Sequence, residues 1–359
     1  MATRTLDRYV ARQLYASVGF VLVGFLALFA FFDLIGELRD LDRGNYHLRE
    51  VTAFVLLSMP THAYELLPIA VLIGSMYALA QLAANSEFTV MRAAGMSPAG
   101  GGRMLLKVGL VFAIGTLVIG EWIAPAGETA AAKVRMRAMS SVIGQDLHSG
   151  IWLKDENSFV NVREARQATR LNNVQIYEFD AAYRLRSISA VRQADYRSEG
   201  HWTLRDVART HFTPQGPRVE RLAQSEWRTA VNPELLDLLI IRPERMSAWR
   251  LYRYIEHLEE NRQKIDRYAI AMWKKLLYPV AALVMLALAL PFAYMHTRAG
   301  MVGLKVFLGI MLGVFFHMLN SLFAHIGLLQ NWPPFAAAAI PGLAFFCAAV
   351  GMMWWVERR

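Results

Sequence analysis

Six long apolar runs constrain this chain more than any other feature. A helix rising ~1.5 Å per residue needs about 20 apolar residues to cross ~30 Å of hydrocarbon. Within that hydrocarbon only helices and closed barrels satisfy their own backbone hydrogen bonds. Residues 14–35, 52–82, 104–124, 276–295, 306–328 and 334–356 meet the length with few or no charges. The second run is long enough to tilt and carries kink sites at Pro60 and Pro68. The first exceeds the ~7–15-residue core of a signal peptide and reads as a retained helix.

Composition sets the rest of the frame. With 55% apolar residues the chain is too apolar for an ordinary soluble domain, and with 19% charged residues it is too polar to lie wholly in a membrane. A net charge of +9 is compatible with a nucleic-acid partner, but the basic residues are scattered among segments flanking apolar runs and one polar stretch, with no compact stripe. A membrane surface and an anionic lipid fit better. The one cysteine, Cys347, lies inside an apolar run, which excludes an intramolecular disulfide and a cysteine zinc site.

Arginine and lysine orient the spans. Arg4, Arg8 and Arg12 precede the first; Arg92, Arg103 and Lys107 lie between or border the second and third; Arg298 and Lys305 flank the next turn, and Arg358 and Arg359 end the chain. The positive-inside rule places both termini in the cytoplasm. Three spans then put residues 127–266 outside it, in the periplasm of a Gram-negative cell. There Val174 with Ile176, Trp202 with Leu204, and Trp227 with Thr229 and Val231 alternate at period two. Turn residues stand at Asp155-Glu156-Asn157, Ser198-Glu199-Gly200 and Pro214-Gln215-Gly216-Pro217. Short strands in one block predict a small antiparallel sandwich or jelly roll. Leu251, Tyr254, Ile255 and Leu258 then repeat at helical spacing, with Ser247 as N-cap. The expected fold is an α-helical polytopic membrane protein of six transmembrane helices with an inserted all-β, jelly-roll-like domain. Its parts are a membrane half at 1–126, the β domain and trailing amphipathic helix at 127–266, and a second membrane half at 267–359.

The local motifs, taken in order, resemble those of the LptF/LptG lipopolysaccharide export permeases, with the G subunit nearer, over essentially the whole chain. The resemblance is carried by Leu6-Asp7-Arg8-Tyr9, by Ser86-Glu87 followed by Met91-Arg92-Ala93-Ala94-Gly95, and by Gly120-Glu121-Trp122-Ile123-Ala124-Pro125. It continues in Gly150-Ile151-Trp152-Leu153-Lys154, in Arg267-Tyr268 before Met272-Trp273 and Pro279, and in Pro333-Pro334 followed by Pro341. It implies an inner-membrane subunit of an ABC-type exporter. Its partners would be an LptF-like permease, an LptB-like ATPase dimer, an LptC-like bitopic protein and lipopolysaccharide, which would leave the outer leaflet and pass along periplasmic jelly rolls. No cofactor is expected in this chain, because ATP and Mg would bind the ATPase.

Under that resemblance, residues 84–97 look like a coupling helix, with Glu87, Phe88, Met91 and Arg92 as its contacts; the plainer reading is a solvated loop helix. A docking element of this kind needs an apolar face, with a charge to fix register. Arg39 and Arg43 after the first span, and Lys133, Arg135 and Arg137 after the third, stand where lipid A phosphates would sit. Arginine suits phosphate through paired charge-assisted hydrogen bonds, although a solvated rim explains any one of these residues equally well. Arg135 is the preferred candidate. Trp202 and Trp227 are candidates for lining an acyl-chain conduit.

Where G subunits tend to carry basic residues at the outer end of the first span, this chain has Asp33 and Glu37. Asp33 either pairs with a partner's arginine or a substrate amine, or simply reaches the interface. Glu65, between Pro60 and Pro68, would face a water-filled cavity or a partner helix, and snorkelling explains Glu121. His62, His317 and His325 show no ligand-like clustering with carboxylates and read as packing histidines. Gly100-Gly101-Gly102 reads as a flexible turn into the third span rather than a phosphate cradle, since no Gly-Lys-Ser/Thr follows it. No Walker sequence occurs, so the chain itself is not expected to hydrolyse ATP. The competing classes are an ion-coupled secondary transporter, which should show internal repeats with broken helices, and a non-transporting membrane scaffold.

Overall fold

The computed structural model describes every residue except 1, 44, 94–97, 140–150, 156–157, 168, 181–183, 199–200, 214–215, 230–242, 261–262, 295–301 and 359. Six helical segments among the described residues are long and apolar enough to cross a membrane. Before the insert come α1 (Ala2–Leu38), α2 (Leu48–Ala84), a short α3 (Glu87–Ala93), and a composite span made of α4 (Pro98–Val118), a π-helical stretch (Ile119–Ile123) and α5 (Ala124–Met139). After it come the amphipathic α6 (Ala248–Glu260), then α7 (Asp266–Tyr294), α8 (Val302–Leu329) and α9 (Pro334–Glu357). Every apolar run falls inside one of these helices, apart from residue 295, which lies outside the described residues.

α2 is the central helix. In its most apolar window 78% of residues are buried, against 6% for α1. Leu72, Met76 and Leu79 of α2 share one core with Leu14 and Val18 of α1, Met285 and Leu288 of α7, Phe316 of α8 and Phe345 of α9. At Gly74 a Cβ would lie 2.6 Å from the Cα of Val18, so only glycine lets these two backbones approach so closely. Pro60 and Pro68 both lie inside the continuous α2. A proline removes an N–H from the helical ladder and crowds the preceding turn. In the turn before Pro68 a neighbouring helix adds a bond, because Tyr278 of α7 donates its hydroxyl to the Glu65 carbonyl at 2.5 Å.

The insert is a six-stranded antiparallel sheet in which each strand pairs with the next: β1 (Ile151–Asp155), β2 (Ser158–Gln167), β3 (Arg170–Phe179), β4 (Leu185–Ser198), β5 (His201–Thr213) and β6 (Gly216–Arg228). The pairs Asp155↔Ser158, Ser198↔His201 and Thr213↔Gly216 close hairpins where the turn residues stand. Val160, Val174, Ile176, Val191, Trp202 and Leu204 bury one face, the period-two pattern of a sheet covered on one side. At ~4.8 Å between strands a flat sheet of six would hold its edges about 24 Å apart. Yet Thr229, directly after β6, donates its hydroxyl to the Asp155 carboxylate at the end of β1, both residues being buried. The sheet is therefore rolled until its first and last strands meet at one end. Of the expected strand positions, Val231 lies outside the described residues.

Candidate functional site

At the insert-side end of the helices, three segments converge on one arginine. Arg135 of α5 donates Nη1 to Glu37 Oε1 at 3.1 Å and Nη2 to Asp40 Oδ2 at 2.8 Å. Arg43 also bonds Asp40, at 2.7 Å, and the Arg135 guanidinium lies 5.6 Å from the centre of the Phe54 ring. Tyr46, fully buried, donates its hydroxyl to the second oxygen of Glu37 at 2.8 Å. Burial, then the Glu37 carboxylate, push that phenol above its ordinary range. Carboxylates 12% and 21% exposed hold Arg135 at 39% exposure, so this network is partly desolvated and its charge-assisted bonds are strong.

The proposed phosphate cations thus fall into two groups. Arg135 and Arg43 are engaged by acids of their own chain, and Arg137 also has a partner. Arg39 and Lys133 are exposed, and neither has an ion pair among the described residues. Of the two acids that set this chain apart from the expected basic pattern, Glu37 is therefore a counter-charge of the chain's own Arg135.

Asp33 is a correction to the sequence reading. Rather than merely reaching the interface, the Asp33 carboxylate lies 2.6 Å from His62 Nε2, joining α1 to α2. His62 thus packs between the two helices with this one hydrogen bond, and no metal-type cluster surrounds it among the described residues. His325 bonds the Ser321 carbonyl at 2.9 Å, one turn back in its own helix. The Glu65 carboxylate has no hydrogen bond or ion pair among the described residues, though its charge acts on Lys274 and Lys275.

Glu121 does more than snorkel. From the π-helical stretch its two oxygens accept the backbone N–H groups of Ala248 at 2.8 Å and Trp249 at 3.1 Å, the first turn of α6. Helix N-termini carry unsatisfied N–H groups and partial positive charge, which a carboxylate satisfies. Ser247 accepts from the Arg250 N–H at 3.2 Å, as its position before the helix predicts. Deeper in the same junction Glu128 accepts from Thr61 at 3.2 Å and pairs with Arg245. These contacts fasten the chain returning from the insert to the span that entered it. Sequence reading missed Glu128, Arg245 and Tyr46, because isolated charges and one loop tyrosine carry no periodic signal.

At the opposite end, α3 follows Ser86, whose φ of 59° marks a sharp break after α2. Glu87 is half-buried and accepts from the Tyr9 hydroxyl at 2.9 Å. Met91 is a further correction: at 6% exposure it packs into the helix core rather than facing outward, and Val90, 66% exposed, presents the apolar surface instead. The side chains of Phe88 and Arg92 lie outside the described residues. In the insert, Trp202 is 1% exposed and Trp227 partly buried, their rings 6.5 Å apart within one core.

Two sets of three spans flank a rolled antiparallel sheet, and Glu121 and Glu128 fasten the returning chain to the third span at the insert-side end; this defines a polytopic membrane protein with a large inserted β domain. The family model for the lipopolysaccharide export system permease LptF/LptG matches residues 8–355, and the chain belongs to that family. It is 30% identical over 99% of its length to the lipopolysaccharide export system permease protein LptG of Haemophilus influenzae, covering 98% of that protein. To the LptG of Escherichia coli K12 it is 28% identical over the same shares.

Proposed function

We propose that this chain is the G-type permease subunit of an ABC-type lipopolysaccharide exporter, lodged in the inner membrane with both termini cytoplasmic and the sheet periplasmic. It works beside an LptF-like permease and an LptC-like bitopic protein, and two copies of an LptB-like ATPase supply the energy. The family match across both membrane halves and the insert carries this reading. Having no Walker sequence, the chain contributes no ATP hydrolysis itself; α3 transmits it, and the basic residues at the insert-side end meet the phosphates of the substrate.

In this mechanism the lipid enters laterally near α1, the span with the least burial inside its own chain. Arg39 and Lys133 attract the phosphorylated head, and Arg135 exchanges a carboxylate for a phosphate as the lipid rises toward the sheet. The experiment is ATP-driven release of lipopolysaccharide from liposomes holding the purified complex. Release requiring ATP and the ATPase is the expected result. Ion-gradient-driven movement without ATP would favour a secondary transporter, and assembly without any release a scaffold.

A further inference from the structure

A groove of about 340 Å³ runs where α7, α8 and α9 meet. On α7 it extends from Lys274 to Val284, ten residues or roughly 15 Å of helix. On α9, which runs the same way, it extends from Phe335 to Phe346, roughly 16 Å. α8 returns in the opposite direction and supplies Asn320 near the insert-side end and Phe316 deeper in. The groove therefore spans about half of a ~30 Å hydrocarbon core, which is one leaflet. Phe335, Leu343 and Phe346 are about half exposed, so it opens sideways.

Its insert-side end carries a single cation. The Lys274 ammonium has no hydrogen bond or ion pair among the described residues, and the carboxylates of Glu65 and Glu244 reach it only through their fields. An ammonium on a membrane-spanning helix calls for a counter-charge, because an isolated charge is costly to desolvate. Below it, the walls at Val284, Phe316 and Phe346 offer only apolar contact.

We propose that this groove holds one acyl chain of a resident anionic glycerophospholipid whose phosphate pairs with Lys274. One cation above one chain-length groove matches a lipid with a single phosphodiester and no ammonium of its own to neutralise it. A lipid bearing several phosphates and many chains would leave most of itself unmatched here. The proposal stands on the groove itself and does not depend on the transport reading.

The test is lipid retention by the purified full-length protein with its accompanying subunits. The preparation is washed in detergent, offered phosphatidylglycerol, phosphatidylcholine or lipopolysaccharide, and weighed by native mass spectrometry. The wild type should hold about one phosphatidylglycerol in preference to phosphatidylcholine. Lys274→Gln should weaken phosphatidylglycerol retention about tenfold, the scale of one charge-assisted hydrogen bond, and leave phosphatidylcholine unchanged. At Gly342 an added Cβ meets nothing within 4 Å, so Gly342→Leu should fill the groove without disturbing the helices and abolish retention of both. Lys274→Gln decides the matter alone should that variant fail to fold. A photo-crosslinker at Leu343 should capture phospholipid. Equal retention of the two phospholipids by the wild type, wild-type retention by Lys274→Gln, or capture of lipopolysaccharide or a protein subunit at Leu343 overturns the proposal.

Discussion

Asp33 and His62 face each other at 2.6 Å between the first two spans, the histidine side chain 12% exposed and the aspartate 28%. The other ring nitrogen, Nδ1, is buried without a partner in the structure, so among the described residues Asp33 is the group that anchors this ring. Removing one member of such a pair leaves the other desolvated and unsatisfied, at a cost of about 1–3 kcal/mol. Asp33→Leu should lower the thermal stability of the solubilised protein by that order, and Asp33→Asn, which keeps the hydrogen bond, by clearly less. The double change Asp33→Leu with His62→Leu should recover most of the loss. Equal losses for the leucine and asparagine variants would show that the hydrogen bond is not what matters.

Arg135 offers a separate test, because its charge is already spent on Glu37 and Asp40. Changing these to Glu37→Gln and Asp40→Asn keeps polar partners but frees the guanidinium for phosphate. Lipopolysaccharide crosslinking at this end of the bundle should rise in that double variant and fall at least about tenfold in Arg135→Glu. If the double variant captures less lipid, the carboxylates take part in binding and the exchange described above is wrong.

Trp202 and Trp227 share one interior but are exposed differently. Trp202→Ala should cost the sheet about 3–5 kcal/mol, as large-to-small changes in a closed core do, read by chemical denaturation. A crosslinker at Trp227 should capture acyl chains when ATP is supplied. One at Trp202 should do so only if the rolled sheet opens, which cutting the Asp155–Thr229 closure by Thr229→Val should promote. Unaltered capture at both positions in that variant would dissociate the closure from access.

The sheet also has a defined acid sensitivity. Partial burial alone would raise the Asp195 carboxyl, but hydrogen bonds from Gln193 and Arg170 and the charge of Arg205 together hold it below the ordinary carboxylate range. A carboxyl depressed in the folded state lends stability that is fully present above its unfolded pKa of about 3.9 and is lost as pH falls from there through the native value. Denaturation followed between about pH 5 and pH 2 should show this loss in the wild type and a shallower dependence in Asp195→Asn. Identical slopes would mean that the native pKa is unshifted.

The spans were legible because twenty consecutive apolar residues have few alternatives, and strands such as Val174 with Ile176 or Trp202 with Leu204 because burial on one face repeats at period two. The hairpin ends were legible from their turn residues. What no periodicity encodes is which residues meet across the bundle. Asp33 and His62 lie 29 positions apart and Arg135 and Glu37 98 apart, and the packing of three helices alone decides that they touch. Met91 was misplaced for the same reason: a seven-residue helix has too few turns for its apolar side to be read before its neighbours are known. Glu121 was underestimated because a carboxylate near an interface looks alike whether it meets water or the N-terminus of a distant helix.

Glu87 carries the sharpest prediction about coupling. Its carboxylate is met by the Tyr9 hydroxyl at 2.9 Å and, more distantly, by the Asn85 amide at 3.4 Å, and Gln13 in turn donates to Tyr9 at 2.8 Å. All are neutral donors, and no cation of the described residues forms an ion pair with Glu87. Neutral donors orient a carboxylate without cancelling its charge, so this end of α3 presents a preorganised anion beside the exposed apolar Val90. If an ATPase seats here, burying that anion opposes binding by several kcal/mol unless the ATPase brings a cation, for which arginine is best suited. Glu87→Arg should therefore reduce ATPase co-purification and ATP-driven transport by at least about tenfold, and Glu87→Gln, which keeps the Tyr9 contact, by less. Tyr9→Phe should cost only about 1 kcal/mol, since it loosens the orientation and spares the charge. Reversing the facing cation on the ATPase should restore Glu87→Arg, because only residues in contact can exchange signs. Transport and co-purification at wild-type levels in Glu87→Arg would place the ATPase contact elsewhere and leave Tyr9 and Glu87 as a tie between the start of α1 and the α2–α3 turn.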